Sequence, residues 1–525
     1  MTVIQRIVPG SSEWKQKHEA SRDLEAALKR RIGGEVRFDA ASRAMYATDH
    51  SIYRQVPIGV VIPRDNEDVI ATVNACHARN VPILGRGCGS SLAGQCCNVA
   101  VVLDFSKYMN RILALDPDGR QARVQPGLIN DQLREAARRH GLTFAPDPAT
   151  HQWCTLGGNI GNNSCGAHTV MGGKTVDNVE ELEILTYDGL HVRVGQTSDD
   201  LYDLIQRAGG RRAEIYRRLK ILAAEYGDDI RREYPDIPRR VSGYNLDDLL
   251  PEKGFHVARS LVGSESTCAL TLSATVRLLH EPPARALMIL SYPDVARAAD
   301  DVEEIRGYHP TALEGFQDTV PRHLRQKGKD LPGMRLLPEG GAWLLVEFGG
   351  ETLDEANDRV EKAYRQLRRI GTGALDMRLV EKPEEQSQVW DVRESGVGSS
   401  RVEWAEEAWP GWEDAAVPPA KLGNYLRDFD ALTKRHGYRY TLFGHFGHGC
   451  IHTRITFDLK TAQGVRTYRR FMEEAADLCV SYGGSLSGEH GDGQAKGELL
   501  PKMYGPRVIQ AFRDFKTIWD PDWRM

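Results

Sequence analysis

No Cys-x-x-Cys pair occurs among the nine cysteines, which are scattered from Cys76 to Cys479. The chain therefore offers no zinc-ribbon or iron–sulfur framework of its own, and reduced, mostly buried thiols are the simplest reading. Long apolar runs are missing too. None approaches the roughly 20 residues that span a bilayer, and the mean hydropathy is −0.45. Residues 1–17 are polar and hold no signal-peptide core, so a cytoplasmic location, at most peripheral to the inner membrane, is expected. Positive charge is not in excess either. A formal net charge of −5 removes the electrostatic case for nucleic acid or an anionic lipid surface as partner.

What is present is glycine, clustered in a few stretches of a 525-residue chain long enough for two or three domains. The first stretch reads Gly85-Arg86-Gly87-Cys88-Gly89-Ser90-Ser91-Leu92-Ala93-Gly94. Its consecutive backbone N–H groups can form an anion-binding nest for phosphates. It is not a Rossmann fingerprint, because Leu92 stands where Gly87-x-Gly89-x-x-Gly needs its third glycine, and the loop lacks the Gly-Lys-Ser/Thr of a P-loop. The second stretch follows Pro146-Asp147-Pro148 and runs Cys154-Thr155-Leu156-Gly157-Gly158-Asn159-Ile160-Gly161-Asn162-Asn163-Ser164-Cys165-Gly166. So many glycines and asparagines imply tight backbone wrapping, as a large flat cofactor with a pyrophosphate requires. A third small-residue turn is Gly263-Ser264-Glu265-Ser266-Thr267.

Near the C-terminus two further stretches carry chemistry: Gly444-His445-Phe446-Gly447-His448-Gly449-Cys450-Ile451-His452 and Ser487-Gly488-Glu489-His490-Gly491-Asp492-Gly493. Two imidazoles, a carboxylate and a histidine beside that carboxylate suit a divalent metal with an adjacent proton acceptor. His445 and His452 are an odd number of positions apart (452 − 445 = 7), so in one unbroken strand they would point to opposite faces. They meet only if the chain bends, and Gly447 and Gly449 make that bend cheap. Either histidine alone would pass for a solvated turn residue; the combination argues for metal or catalytic use. His448 and Cys450 could each be an extra ligand or turn filler.

Periodicity predicts a helix over 13–33, strands at 59–63 and 81–84 around a helix at 66–79 capped by Asp65 or Asn66, and a hairpin of 180–186 with 191–194 about Asp188-Gly189. An apolar strand follows at 270–279, and Glu281-Pro282-Pro283 marks a boundary. Beyond it, strands at 286–292 and 343–348 alternate with helices at 294–306 and 353–369, and a last helix spans 502–515. The expected division is 1–54 as an N-terminal helical segment, 55–282 and 283–500 as two domains, and 501–525 as a helix returning to the first. The aromatic ending, without a polar fade, is expected of a piece of a longer gene product.

Together, residues 82–94, 146–148, 155–160, 263–265 and 487–493 resemble the FAD-linked oxidases of the vanillyl-alcohol oxidase and p-cresol methylhydroxylase type, in the D-2-hydroxy-acid dehydrogenase branch. The resemblance covers about residues 45–525. It implies an α+β fold: a two-subdomain FAD-binding domain of the p-cresol methylhydroxylase type, plus an α+β substrate (cap) domain with an antiparallel sheet. It assigns FAD binding to Arg86, Gly87, Gly89, Ser90, Ser91, Gly94, Pro146, Asp147, Thr155, Gly158, Asn159, Gly161 and Glu265. Ser90 and Ser91 stand where some relatives attach FAD through histidine, so the FAD is expected to be non-covalent.

The same resemblance places a divalent metal, zinc by family habit, on His445, His452 and Glu489, with His490 as catalytic base. The family has aspartate and asparagine where this chain has His448 and Cys450. Arg393 is implied to hold the substrate carboxylate. Val397 and Trp412 stand where relatives specific for D-2-hydroxyglutarate use threonine and lysine for a second carboxylate, so Lys496 and Arg454 are the substitutes considered. The implied activity is oxidation of a small D-2-hydroxy acid, with D-lactate or D-2-hydroxyglutarate as the class. The implied electron acceptor is an iron–sulfur domain, in a C-terminal extension or partner, or a quinone or electron-transfer protein. A homo-oligomer is expected. The rival readings are a non-redox flavoenzyme of the alkyl-dihydroxyacetone-phosphate synthase type and a non-catalytic FAD subunit.

Overall fold

The computed structural model describes residues 12–398 and 407–525. Strands β1 (Glu35–Arg37), β2 (Gly59–Ile62), β3 (Ile83–Arg86) and β4 (Val101–Asp104) form a sheet in the order β1-β2-β4-β3. The last three are parallel and β1 is antiparallel. Strands β2 and β4 are buried throughout, which is why they read as unbroken apolar runs rather than as alternation. The helix Asn66–His77 links β2 to β3. Its cap is Asp65, which accepts a hydrogen bond from the Asp68 N–H. The first glycine loop therefore leaves the C-terminal end of a parallel strand.

Next come β5 (Ile112–Asp116), β6 (Gln121–Val124), a short β7 (Leu142–Thr143), β8 (Val179–Leu185), β9 (His191–Gly195), β10 (Leu270–Arg277) and β11 (Leu279–His280). Five of them make an antiparallel sheet in the order β5-β6-β10-β8-β9, and β7 pairs with β11.

The third sheet contains β12 (Ala284–Tyr292), β13 (Ala312–Gln317), β14 (Ala342–Gly350), β15 (Asp376–Val380), β16 (Tyr440–His445) and β17 (Cys450–Ile455). Its order is β15-β12-β14-β13-β16-β17, antiparallel at every pairing. The helix Leu353–Ile370 packs on it through Ala356, Val360, Ala363 and Leu367, an apolar stripe at helical spacing. The helix Pro506–Trp519 lies against the helix Gly210–Glu233, and the Ile83 N–H donates to the Arg524 carbonyl. No described helix is long and apolar enough to cross a membrane.

Two expected helices are divided. The 294–306 segment becomes Val295–Asp300 and Val302–Arg306. The 502–515 segment becomes Leu500–Met503 and Pro506–Trp519. In the second case Pro506 has no N–H, so it starts a helix well but cannot continue one.

Candidate functional site

Strands β16 and β17 form a hairpin in which Phe443 faces His452 and His445 faces Cys450. Residues two apart on a strand share a face, so His445 and His452 lie on the same side of the sheet. The bend that the odd spacing demanded is the hairpin turn itself, Phe446–His448, closed by Gly449 at φ +68°. A Cβ on Gly449 would stand 1.9 Å from the Val417 carbonyl oxygen, so only glycine fits there.

The second loop is held from beneath by Asp414, which is fully buried. Its Oδ2 accepts hydrogen bonds from the N–H groups of His490 (2.7 Å) and Glu489 (3.2 Å) and from Ser487 Oγ (2.6 Å), while Oδ1 pairs with the Lys496 ammonium. A desolvated carboxylate with donors on both oxygens is a stiff anchor.

The two loops bring one oxygen, Glu489 Oε1, within 3.0 Å of His452 Nε2, 3.2 Å of His490 Nε2 and 3.3 Å of His445 Nε2. Each ring's other nitrogen is engaged. His445 Nδ1 meets Glu314 Oε1 at 2.8 Å, His452 Nδ1 meets the Glu413 carbonyl at 3.1 Å, and His490 Nδ1 meets Glu413 Oε1 at 2.5 Å. Donation from Nδ1 leaves the Nε2 lone pairs of His445 and His452 aimed inward, whereas His490, when protonated, donates from Nε2 to Glu489. The carboxylates are balanced in turn: Glu314 by Arg393 (2.6 Å), Glu413 by Arg454 (2.6 Å) and Glu489 by Arg239 (2.8 Å).

Burial works against charge on all of these groups, and pairing decides the outcome. For His490, Glu413 and then Glu489 overcome burial and raise the ring to about 10. For Glu413, burial is outweighed by His490 and Arg454, which bring it down to about 2. Glu489 overcomes burial through His445 and His452 and lies well below the carboxylate range. His452 goes the other way, to about 4, because burial outweighs its attraction to Glu489.

Donor atoms of His445, His452 and Glu489 lie within 4.8 Å of one another, as do those of Glu413, His452 and His490. The first set fits a divalent ion well: two Nε2 atoms and one carboxylate oxygen converge, and each ligating ring is oriented from behind. In the second set, Glu413 is already occupied by Arg454 and His490.

This cluster floors a cavity of about 310 Å³ that Arg393 and Arg454 also line. The same cavity is lined by Gly87, Gly89, Ser90 and Ser91 from the first glycine loop, with Asp147, Thr155, Gly158 and Asn159. A recess of about 90 Å³ adjoins it at Gly87, Thr155 and Gly158, and reaches Arg86, Gly161 and Glu265. The walls suit a flavin. Among the described residues the buried Asn159 Nδ2 has no partner, and a Cβ on Gly161 would meet nothing nearer than 4.0 Å, so bare backbone faces the space.

Several residues expected at the site are hydrogen-bonded within the protein, Arg86 and Glu265 while also lining the recess. The Arg86 guanidinium donates to the Cys96 and Thr48 carbonyls, both at 2.9 Å. Glu265 accepts from the N–H groups of Asp492 (2.7 Å) and Gly493 (3.0 Å), tying the recess to the His490 loop. Gly94 and Pro146 do not line the cavity; their carbonyls accept from Gln494 and Asn130. Lys496 lies behind the loop on Asp414 rather than in the cavity, with burial bringing it down to about 8. His448 accepts from Arg239 Nε at 3.4 Å and does not line the cavity, and the Cys450 thiol is directed at the Asp414 carbonyl at 3.8 Å. Sequence reasoning missed Glu314, Glu413, Asp414 and Arg239. The first three had a faint signal, since each is an acid inside an otherwise apolar stretch; Arg239-Arg240 looks like an ordinary basic surface pair.

Glycine loops facing a histidine–carboxylate cluster across one cavity define a two-part flavin-binding protein. The comparisons agree. An "FAD binding domain" family matches residues 57–195 and "FAD linked oxidases, C-terminal domain" matches residues 281–525. The chain carries both domains of the FAD-linked oxidases. It is 31% identical over 513 residues to a D-2-hydroxyglutarate dehydrogenase of Pseudomonas putida, covering 95% of this chain and 50% of that protein. It is 27% identical to the glycolate oxidase subunit GlcD of Escherichia coli, covering 90% and 83%. The chain thus spans about half the length of the D-2-hydroxyglutarate dehydrogenases it matches. Alkyldihydroxyacetonephosphate synthase shares the fold, at a TM-score of 0.61 and 16% identity over 96% of this chain and 85% of that one.

Proposed function

We propose that the chain is an FAD-dependent dehydrogenase that oxidises a D-2-hydroxy acid to the 2-oxo acid with the help of a divalent metal, zinc as the first candidate. The observation that carries this is the convergence of three Nε2 atoms on Glu489 Oε1, across one cavity from the glycine loops of an FAD binding domain. The relatives named D-2-hydroxyglutarate dehydrogenase, glycolate oxidase subunit and D-lactate dehydrogenase support the hydroxy-acid class.

His445, His452 and Glu489 would hold the ion, and Gly87, Ser90, Thr155, Gly158, Asn159 and Gly161 would contact the flavin. When bound, the flavin accepts the two electrons as hydride and the ion acidifies the substrate hydroxyl as a Lewis acid. Arg393 lines the cavity with its Nε unpartnered among the described residues, and it holds the substrate carboxylate while Glu314 fixes its other edge. His490 takes the hydroxyl proton at Nε2, and Glu413 at Nδ1 keeps that nitrogen facing the cavity. His490 acts only when neutral, so it must first shed the proton that Glu413 and Glu489 favour. The electrons then leave to an iron–sulfur or quinone acceptor.

The test is the anaerobic absorbance of the flavin bands during addition of D-lactate, D-2-hydroxyglutarate, glycolate and the L-acids. Bleaching by a D-acid or glycolate that chelation abolishes supports the reading. A flavin spectrum that no hydroxy acid moves would sink it.

A further inference from the structure

Arg239 has no side-chain exposure at all, yet it carries a full charge beside the histidine cluster. It follows the helix Gly210–Glu233, which lies far from the hairpin in sequence. Its three nitrogens face three elements. Nη1 donates to Glu489 Oε2 at 2.8 Å, Nη2 donates to the Gly166 carbonyl at the end of the second glycine stretch, and Nε donates to His448 Nδ1 at 3.4 Å. His448 can accept only when neutral, and burial together with the Arg239 charge keeps it so. The rigid fork of a guanidinium suits it to hold several acceptors at once.

The consequence lies in the two oxygens of Glu489. A free carboxylate can bind a cation through one oxygen or both. Here Oε2 is taken by a charge-assisted bond, and Oε1 alone faces the three Nε2 atoms. We infer that Arg239 is a positioning residue that holds Glu489 as a one-oxygen donor and so keeps a coordination position open for the substrate. This rests on the metal site proposed above. The same fork ties that ligand to the backbone at Gly166, beside the flavin wall, so the ion and the flavin are referenced to one rigid group. His448 is then the backing acceptor for Arg239 and not a ligand. No ligand motif would reveal this role, because Arg239 does not line the cavity or its recess.

The test is X-ray absorption at the cobalt edge of the chelator-treated, Co²⁺-loaded, FAD-containing full chain, with the Co²⁺ dissociation constant measured by chelator competition. In Arg239→Met, Glu489 is free to chelate. The expected result is one additional oxygen neighbour to cobalt, Co²⁺ affinity changed about 10- to 100-fold, and a hydroxy-acid KM raised more than kcat is lowered. An unchanged edge spectrum with affinity within about twofold would overturn the inference. If Arg239→Met does not give folded, flavin-loaded protein, Arg239→Lys decides. An ammonium cannot span Glu489, His448 and Gly166 together, so Co²⁺ should bind about tenfold more weakly with flavin content unchanged; wild-type affinity would overturn the inference. Failure of the unaltered chain to bind Co²⁺ while its flavin is intact would overturn the metal reading, and this inference with it.

Discussion

Glu413 accepts a 2.5 Å hydrogen bond from His490 Nδ1 on one carboxylate oxygen and a 2.6 Å ion pair from Arg454 on the other. That arrangement selects the tautomer of His490, raises its basicity and aims Nε2 at the cavity. It is the orienting partner that a general base requires.

Glu413→Gln keeps the shape and removes the charge. The neutral ring is the active form, so the rate of flavin reduction rises as pH climbs through the His490 pKa. Without Glu413 that pKa falls, and the acid limb of the pH profile moves to lower pH while the limiting rate drops by about 10²-fold. Anaerobic stopped-flow reduction across pH 5–10 measures both. A limb that moves upward would contradict the assignment.

Metal uptake should release a proton. Near pH 8 the ion-free protein holds His490 protonated, since its pKa is about 10, whereas His452 at about 4 and the depressed Glu489 have already lost theirs. A cation at Glu489 disfavours the charged ring, so about one proton should leave per ion bound. Calorimetry in buffers of different ionisation enthalpy counts it, and His490→Asn should abolish the release.

Stability of the ion-free chain should decline with alkalinity. His490 is raised from 6.5 to about 10, so its contribution is complete below about 6.5 and disappears as pH rises through about 10. The midpoint of thermal unfolding in the presence of chelator should therefore fall over that window, and fall less in His490→Asn.

His445→Ala and His452→Ala should each lose the ion while keeping the flavin, because neither ring belongs to the glycine loops. Elemental analysis together with the visible spectrum tests this directly. Loss of flavin in step with metal would show that the two sites are not separable.

Asp414→Asn should loosen the His490 loop. Removing the charge leaves Lys496 buried without its counterion and weakens three donors at once, a change of about 3–5 kcal/mol for a broken buried pair. Hydrogen exchange at the Glu489, His490 and Gly491 amides should quicken, while amides in β2 and β4 stay protected.

The parallel strands were legible as apolar runs, and the hairpin about Asp188-Gly189 was legible from its turn residues. His445 and His452 could be nominated from their glycine neighbours, with the prediction that the chain must bend between them. The helix Gly210–Glu233 was not read, because a strongly charged surface masks its buried stripe of Ile215, Leu219, Leu222, Tyr226 and Ile230. Arg86 and Glu265 were read as flavin contacts on motif position alone; nothing local shows that their side chains are hydrogen-bonded to backbone groups from other segments.

By itself the sequence determined where backbone lies bare and where imidazoles and carboxylates are available, because glycine content and side-chain period are local properties of the chain. Only the tertiary structure decided which charges back those groups. Arg393 reaches Glu314 across 79 positions, Glu413 reaches His490 across 77, and Arg239 reaches Glu489 across 250. A buried charge is tolerated only beside its counterion, and folding alone sets which counterion arrives, so no local pattern could have named the pairs.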